Sequence, residues 1–522
     1  MTPVGYTFLN KYYNLLLPKL SVEVYQDASF DSEKIVKYGA SKRLVLPKSR
    51  KNLSTPYDNM VAAIKHQGIR LHFFAVIFKV VDENELTAFI ASKPMAQHTR
   101  VIWYLYEWLT GNTLNLPALN SGNYVQLFDP KYYFTLSDGV RDKRTRVINN
   151  AIGTRDFCPT IRKTPEILTL AKTDVYKTAY EEVQKLGKSI SADIIGRSVN
   201  YLYTKETRSS TEIENERPDK KRMQRFLNAI KNAGLFELSK DKLIDIQNQI
   251  VADSVRASDY RECEIYVGST IQKYSIVDED VHYVGAKAEH IESLMDGLFK
   301  THDNLMLDGE VPSLIHASIV SFAEVYIHPF DDGNGRIHRY LIHDVMKQRE
   351  PDHKFIIPIS AAILKNTERY DEVLETISKP IMAMLDWELD AENGNRMVIN
   401  NDIEFMYRFP DYTEHVKFVY EMMNSAISSD LIEEICLLLV FDVIKTSINR
   451  AADVPNMKLD TLVSIIISGG GAVSNKKRGL FLKYLSEEGL AEVEKDSMKI
   501  ISEVKDKFKI DIQELVNKSE KA

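Results

Sequence analysis

The feature that most constrains this chain is the stretch at residues 328–339, which reads His-Pro-Phe-Asp-Asp-Gly-Asn-Gly-Arg-Ile-His-Arg. Apolar, helix-like runs lead into it at residues 314–326 and out of it at residues 337–346. A Gly-Asn-Gly turn that opens a helix points several backbone N–H groups to one place, and the helix dipole adds partial positive charge. The sequence therefore predicts a helix–loop–helix unit with an anion site at its loop.

The side chains of this stretch suit a metal-bound polyphosphate. Asp332 directly precedes the turn, and a carboxylate beside phosphate oxygens is a typical Mg²⁺ ligand. Arg336 and Arg339 lie three residues apart on one predicted helix face, so both can reach a polyphosphate. His328 lies four residues before Asp332, and a neutral imidazole accepts a proton near pH 7. Each residue alone has an ordinary structural explanation, but the combination indicates attack of a hydroxyl group on phosphorus.

The stretch matches all eight specified positions of the Fic family signature. That signature is His, any residue, Phe, any residue, Asp or Glu, Gly-Asn-Gly-Arg, two of any residue, and Arg. The sequence therefore resembles the Fic family, most of whose complete proteins are protein adenylyltransferases. These enzymes move AMP from ATP to a Ser, Thr or Tyr hydroxyl of a target protein. The resemblance implies a mainly α fold with a Fic helical core.

The resemblance also implies a role for each residue at a motif position. His328 would be the general base on the target hydroxyl, and Asp332 would bind Mg²⁺. The α- and β-phosphates of ATP would be held by Gly333, Asn334, Gly335 and Arg336. Arg339 would bind the γ-phosphate. Tyr370 either lines the adenine side or belongs to the core, and the sequence leaves both interpretations open.

A β-hairpin is predicted upstream of the motif, at residues 265–285. Two short apolar runs, at residues 265–268 and 281–285, flank a polar loop. Fic proteins use such a hairpin as a flap that aligns a target segment by strand addition, a mode of binding that tolerates different target side chains. The resemblance therefore implies a protein target docked along this flap.

The segment at about residues 208–216 supports two interpretations. The first is a capping box at a helix start, with Ser209 facing Glu212 or Thr211 facing Glu214. The second is a resemblance to the Fic inhibitory motif, which is Ser or Thr, three of any residue, Glu, then Gly or Asn. The residues that fit this motif are Ser210, Glu214 and Asn215.

The inhibitory interpretation gives Glu214 a partner in the motif. In the Fic family this Glu pairs with the last motif arginine, here Arg339, and an arginine held by a carboxylate cannot also clamp the γ-phosphate. The position before the core motif implies the class with an N-terminal inhibitory helix. The same Glu could orient a water and remove AMP from modified targets, and the sequence leaves this open.

Three domains are predicted from the patterns along the chain. Residues 1–165 mix strand-like and helix-like runs, which predicts an N-terminal α+β domain. Apolar spacing of three and four then predicts the Fic helical domain at 166–400. The last domain, 401–522, shows helix, Gly-rich turn, helix and two short strand-like runs (490–493 and 498–501), the order of a winged helix.

Composition narrows the partners and the compartment. The net charge of −7 disfavours non-specific coating of nucleic acid, so we expect the winged-helix-like region to serve protein interaction or a homodimer rather than DNA. Three scattered cysteines fit a reducing cytoplasm, and the apolar runs are too short for a membrane span. The alternatives to AMP transfer are another nucleotide or phosphoryl transfer on the same scaffold, or a nucleotide-sensing DNA-binding regulator.

Overall fold

A computed structural model describes residues 1–38, 41–47, 53–186, 192–273, 276–353, 356–390 and 396–521. The strands are β1 (Thr2–Pro3), β2 (Val22–Asp27), β3 (Lys34–Tyr38), β4 (Ser41–Pro47), β5 (Val125–Gln126), β6 (Val140–Asp142), β7 (Val147–Asn149), β8 (Tyr266–Lys273), β9 (Ile276–Val284), β10 (Trp387–Asp390) and β11 (Arg396–Ile399).

The α-helices make the fold mainly helical, as predicted. They are α1 (Tyr6–Tyr13), α2 (Pro56–Gln67), α3 (Leu71–Val80), α4 (Glu83–Ser92), α5 (Gln97–Thr110), α6 (Pro165–Leu170), α7 (Val175–Lys185), α8 (Ala192–Ile213), α9 (Lys220–Lys231), α10 (Lys240–Ile250), α11 (Ala288–Asp308), α12 (Ser313–Ile327), α13 (Asn334–Arg349), α14 (Ile359–Lys365), α15 (Thr367–Met384), α16 (Glu404–Arg408), α17 (Thr413–Ser425), α18 (Leu431–Ala451), α19 (Asn456–Ser468), α20 (Asn475–Phe481), α21 (Glu487–Phe508) and α22 (Ile512–Lys521). In the part of the chain that the structure describes, no helix combines the length and the apolar character that a bilayer crossing requires.

The chain forms two compact units that are interleaved in sequence. The first unit comprises Met1–Lys172, Pro218–Pro351 and Thr367–Tyr420, and the second comprises Thr173–Arg217, Asp352–Asn366 and Glu421–Ala522. The motif at 328–339 therefore lies in the first unit and the segment at 208–216 in the second. The division into three consecutive domains stays a prediction.

The beginning of the first unit mixes strands and helices, which confirms the predicted α+β region. Its sheet has the order β1-β2-β4-β3, with β2 and β4 parallel and the outer pairs antiparallel. Helix α2 begins where the Thr55 side chain accepts a hydrogen bond from the Asp58 N–H group, with proline at the first helical position. Val24 and Leu46 from the sheet pack against Ala62 of this helix, so burial of the apolar face joins the two layers.

The centre of the first unit is the pair α12 and α13. Within α12, every residue except Ser313 and Val325 is buried, which is typical of a helix that other elements surround on all sides. Tyr326 near its end donates a hydrogen bond to the Leu374 carbonyl of α15 (3.0 Å). The predicted helix–loop–helix unit is confirmed, and its loop is fixed by two helices that have little freedom to move.

Backbone pairing between distant segments closes the first unit. The Cys158 N–H donates to the Arg408 carbonyl (2.9 Å), and the Thr160 N–H donates to the Pro410 carbonyl (2.9 Å). The Tyr412 N–H donates in return to the Thr160 carbonyl (3.0 Å). Residues near the end of the N-terminal α+β region thus pair with the segment around α16.

The second unit is helical, and α18 lies at its centre in contact with α8 and α21. Asp430, which precedes α18, is fully buried and binds Lys365 (2.9 Å) and Lys205 (3.3 Å). Two cations around one buried carboxylate compensate its loss of hydration. This charge cluster ties α8 and the end of α14 to the start of α18.

The predicted wing of the C-terminal region is wrong. Both of its expected strands, at 490–493 and 498–501, lie inside α21. Leu490, Val493 and Val504 are buried along this helix, and the Ser486 hydroxyl caps its start by accepting from the Gly489 N–H (3.0 Å). The short apolar runs after Gly489 are compatible with strands as well as with a helix. Tertiary packing stabilises the helix here.

Candidate active site

His328 is held in a left-handed backbone conformation at the end of α12. Its φ and ψ angles are 59° and 60°, and its N–H donates to the Glu324 carbonyl (2.9 Å). The imidazole Nδ1 lies 3.0 Å from the Val325 carbonyl oxygen, which can only accept a hydrogen bond. Nδ1 therefore carries a proton, and in the neutral ring the lone pair would be on Nε2. This is the tautomer that a base working through Nε2 requires.

Arg261 fixes the backbone around His328, and no pattern in the sequence predicts this role. Its guanidinium is buried and donates to the carbonyls of His328 (2.7 Å) and Cys263 (2.6 Å), and also to that of Ala286. The backbone N–H of Arg261 donates to the Pro329 carbonyl (2.9 Å). One side chain thus satisfies several buried carbonyl groups from three segments that meet at the loop of the motif.

The predicted hairpin at residues 265–285 is confirmed as β8 and β9, and residues 274 and 275 lie outside the described part of the chain. Its foot touches the loop of the motif. A Cβ atom on Gly285 would lie 3.0 Å from the His328 Cβ and 2.8 Å from Arg261 Nη2, so glycine permits this close approach. The Tyr283 hydroxyl, one residue before the end of β9, donates to the Tyr326 carbonyl.

The loop after His328 is closed by the side chains of Phe330 and Asn334. Phe330 is fully buried, and its N–H and carbonyl both bond with the Asn334 amide, at 3.1 and 2.7 Å. Gly333 adopts φ 96°, and the Gln247 amide donates to the Asp332 carbonyl (3.1 Å). The asparagine therefore closes the loop in this structure, and its contact with phosphate stays a prediction.

The two motif arginines are almost completely buried where α13 begins. Arg336 is 2% exposed and Arg339 is 1% exposed, so both charges lie in a region of low dielectric constant. Arg336 Nη2 donates to the Asp332 carboxylate at 2.7 Å. Asp332 itself is about one third exposed, at 36%. A carboxylate that is open to solvent at the start of a helix fits a Mg²⁺ ion that keeps most of its waters.

Glu324 is a buried acid that sequence reasoning did not single out. It lies one helical turn before His328, it is fully buried, and neither of its carboxylate oxygens has a hydrogen-bond partner among the residues that the structure describes. Burial raises the pKa of its carboxyl group well above the usual range, and the positive charge of Arg339 opposes that rise. No spacing in the sequence distinguishes this residue from other helix carboxylates.

Tyr370 lies in the core of the first unit. Its ring is 7% exposed and is stacked on His338 (ring centroids 6.0 Å apart) and on Phe418 (5.7 Å). This arrangement favours the core interpretation of the two that the sequence left open. The contact with adenine stays a prediction.

The segment at 208–216 ends a helix instead of beginning one, so the capping-box interpretation is wrong. Helix α8 extends to Ile213, and Asn215 follows with φ 55°. The Asn215 N–H donates to the Glu212 carbonyl (3.0 Å), and the Glu216 N–H to the Thr211 carbonyl (3.4 Å). Glycine and asparagine are the residues that tolerate this left-handed position, which explains why the pattern asks for one of them after the Glu.

Comparison with known proteins identifies the helical region around the loop. Residues 237–346 match the sequence model of the Fic/DOC family. A Fic family protein from Desulfovibrio desulfuricans G20 shares 15% sequence identity with a TM-score of 0.34, covering 62% of this chain and 85% of that chain. A Fic domain containing signaling protein from Bacteroides thetaiotaomicron VPI-5482 shares 14% identity with a TM-score of 0.34, covering 51% and 96%.

Likenesses at these TM-scores are too distant to carry an argument about fold or function. The family match stands on its own, because it spans α10 to α13 and includes most of the hairpin-to-loop segment described above. Together with the complete motif at 328–339, it shows that this chain contains a Fic/DOC family domain.

Proposed function

We propose that this chain is a protein adenylyltransferase that moves AMP from ATP to a Ser, Thr or Tyr hydroxyl of a target protein. Members of the Fic family commonly perform this transfer. The observation that carries the proposal is the position of His328, whose Nδ1 lies 3.0 Å from the Val325 carbonyl oxygen at the loop that leads into α13, so that Nε2 is the ring atom suited to accept a proton. His328 lies at the start of this loop, and the first turns of α13 carry the two buried arginines Arg336 and Arg339.

His328 acts as the general base in this proposal. Nε2 takes the proton of the target hydroxyl as its oxygen attacks the α-phosphorus of ATP. The bond between the α-phosphorus and the oxygen that bridges to the β-phosphate then breaks, and pyrophosphate leaves. Arg261 and Gly285 support the reaction indirectly, because they fix the backbone that orients the ring.

The start of α13 binds the phosphates. The N–H groups that follow Gly333 face the α- and β-phosphates together with Arg336, and Arg339 binds the γ-phosphate. Asp332 holds Mg²⁺, which when bound neutralises phosphate charge. ATP would replace the Asp332 carboxylate as the anionic partner of Arg336, and Asp332 would then be available to the ion.

The hairpin of β8 and β9 aligns the target. The two strands form a sheet of their own among the described residues, so a strand edge is available to a target segment. Main-chain hydrogen bonds along that edge would hold the segment whatever its side chains are. Contact of Gly285 with His328 places the foot of this sheet beside the base.

Glu214 restrains the transfer in this proposal. Its support is the sequence pattern of Ser210, Glu214 and Asn215, together with the left-handed residue that ends α8. Pairing of Glu214 with Arg339 would keep the arginine from the γ-phosphate, and ATP would bind with a poorly aligned α-phosphate. Removal of AMP by a water that Glu214 orients would use the same residue.

Labelled ATP separates these activities. Wild-type protein, Glu214→Gly and the double variant Glu214→Gly/His328→Ala are each incubated with Mg²⁺ and with ATP labelled at either the α- or the γ-phosphate. We expect covalent label only from the α-position, most of it in Glu214→Gly and none in the double variant. Label that comes only from the γ-position would indicate phosphorylation. A Glu214→Gly protein that retains neither label would refute the proposed transfer.

Intact mass of the Glu214→Gly protein after the reaction provides an independent measurement. We expect an added mass of one adenylyl group at each modified residue. A chelator added before ATP should prevent the modification, because Asp332 then lacks its ion.

A further inference from the structure

A second group of metal-ligating side chains lies in the first unit, at the foot of the hairpin. His290 is on α11, whereas Asp402 and Glu404 lie at the start of α16. His290 Nε2 is 3.3 Å from Asp402 Oδ1 and 3.7 Å from Glu404 Oε2. The ligand atoms of all three residues lie within 4.8 Å of one another.

These separations resemble the edges of a tetrahedral coordination shell. Zinc bonds to nitrogen and oxygen of about 2.0–2.2 Å place neighbouring ligand atoms about 3.3–3.6 Å apart. Imidazole nitrogen and carboxylate oxygen are both zinc ligands, and catalytic zinc sites combine three protein ligands with a water. The separations of His290 from Asp402 (3.3 Å) and from Glu404 (3.7 Å) are therefore close to such an edge, and the third separation is within 4.8 Å.

The atoms that face this point are oriented by their surroundings. Asp402 Oδ1 accepts from the Glu404 N–H (2.9 Å), and Arg408 binds Oε1 of Glu404, which leaves Oε2 for the cluster. His290 Nε2 is buried and has no hydrogen-bond partner in the described part of the chain. Outer contacts of this kind are what fixes ligands in protein metal sites.

Space for an ion is present next to these atoms. A void of about 10 Å³ is lined by His290, Asp402 and Glu404, and also by Gly285 and Lys287. This volume is close to what one water-sized species occupies.

The carboxylates of Asp402, Glu404 and Glu289 lie around His290. The nearby side-chain cations are Arg408 and Lys287. A cation between the carboxylates would therefore improve the charge balance.

We propose that His290, Asp402 and Glu404 form a zinc site that is separate from the nucleotide site. The ion would join α11, which begins four residues after β9 ends, to the start of α16. It would thereby anchor the segment at Gly285 that touches His328. The inference does not depend on the proposed transfer activity, and its rival is an ion triad with a protonated histidine and no metal.

Zinc binding to the full chain tests the proposal. Titration is performed calorimetrically with Zn²⁺ in a large excess of Mg²⁺, so that sites made of carboxylates alone are occupied by the hard cation. The matched control is His66→Asn, since His66 faces a single carboxylate, Glu33, at 3.5 Å. Wild type and His66→Asn should bind one equivalent of Zn²⁺ more than His290→Asn.

A second variant and a second readout protect the test against misfolding. Asp402→Asn keeps the imidazole and should weaken zinc binding by at least about tenfold. With Co²⁺ in place of Zn²⁺, wild type should show the intense visible absorption of a tetrahedral ion, and His290→Asn should lack it. Equal Zn²⁺ stoichiometry in wild type and a folded His290→Asn, or unchanged affinity in a folded Asp402→Asn, would overturn the site.

Discussion

Several helices of this chain end in a left-handed residue that is not glycine, and two of them, α8 and α12, support that residue in different ways. At the end of α8, Asn215 has φ 55° and is held by local backbone hydrogen bonds to carbonyls of its own helix. At the end of α12, His328 has φ 59° and is surrounded by donors from other segments, with Arg261 as the main one. Asparagine accepts this conformation readily, whereas for most residues it costs about 1–2 kcal/mol.

The difference between these two helix ends is that a side chain from another segment, Arg261, stabilises the one at His328. A histidine in the left-handed region persists because its surroundings over-determine it, as is common for strained residues at functional sites. The helix end at Asn215 needs no such support and depends on residue type alone. We therefore expect substitutions at the His328 end of α12 to affect chemistry and stability strongly. Substitutions at the Asn215 end of α8 should act mainly through regulation.

Replacing the histidine itself should give the largest effect. His328→Ala and His328→Asn should each reduce AMP transfer by about 10²–10⁴-fold, the usual contribution of a general base, while ATP binding persists. Only the asparagine variant should keep wild-type stability, because it tolerates the left-handed backbone. Transfer rates and thermal unfolding measure the two effects, and retained transfer in either variant would exclude His328 as the base.

Removing the support of that helix end should be the next largest effect. Arg261→Gln leaves several buried carbonyl groups without their donor, and each costs about 1–3 kcal/mol, so we expect a loss of about 3 kcal/mol or more. Arg256→Gln is the control, since Arg256 pairs on the surface with Asp253 and should contribute less than about 1 kcal/mol. Denaturant unfolding measures the loss of unfolding free energy in both variants. Equal losses would mean that Arg261 does not support the structure more than a surface arginine does.

At the other helix end, the expected effect is on rate. Glu214→Gly should raise label incorporation from ATP by about 5- to 150-fold, the range that a coupling free energy of 1–3 kcal/mol produces. Glu212→Ala removes a neighbouring carboxylate that is paired with Arg208 (2.7 Å) and should leave incorporation unchanged. A rise in both variants would point to general loosening of α8, and a rise in neither would remove the inhibitory role.

The smallest effect should come from Asn215. Asn215→Gly should be nearly neutral for stability, whereas Asn215→Ala should cost about 1 kcal/mol, because alanine lacks the tolerance for positive φ. Thermal unfolding of the pair measures the difference. If alanine and glycine behave alike, the left-handed residue is not what limits this position.

Local signals in the sequence predicted the helix–loop–helix unit and the hairpin. The Gly-Asn-Gly turn between two apolar runs leaves few other arrangements, and glycines mark both feet of the hairpin. The residues of the motif could likewise be named in advance, since the chemistry requires each of them at its spacing. Arg261 and Gln247 could not, because their positions near the loop arise only when distant segments meet. Glu324 is only four residues before His328, but its spacing does not distinguish it from other helix carboxylates.

The two wrong predictions, the wing at residues 490–501 and the capping box at residues 209–214, have a common physical cause. At residues 490–501, short apolar spacings are compatible with strands or with one long helix, and packing against α18 selected the helix. At residues 209–214, the pattern of a helix start occurs at a helix end, because Ser, Thr and Glu also occupy the last turn of α8. Sequence alone does not give the direction from which a neighbouring element approaches.

The pairing of Thr160 with Pro410 and Tyr412 has a consequence for folding during synthesis. Thr160 and Pro410 are 250 residues apart in sequence. At about 5–20 residues per second, a ribosome needs roughly 10–50 s to make the chain between them. The loop of the motif at 328–339 is also made before the segment that closes the first unit. Any chaperone that protects nascent chains would meet this protein with the motif already present and its closing segment still missing.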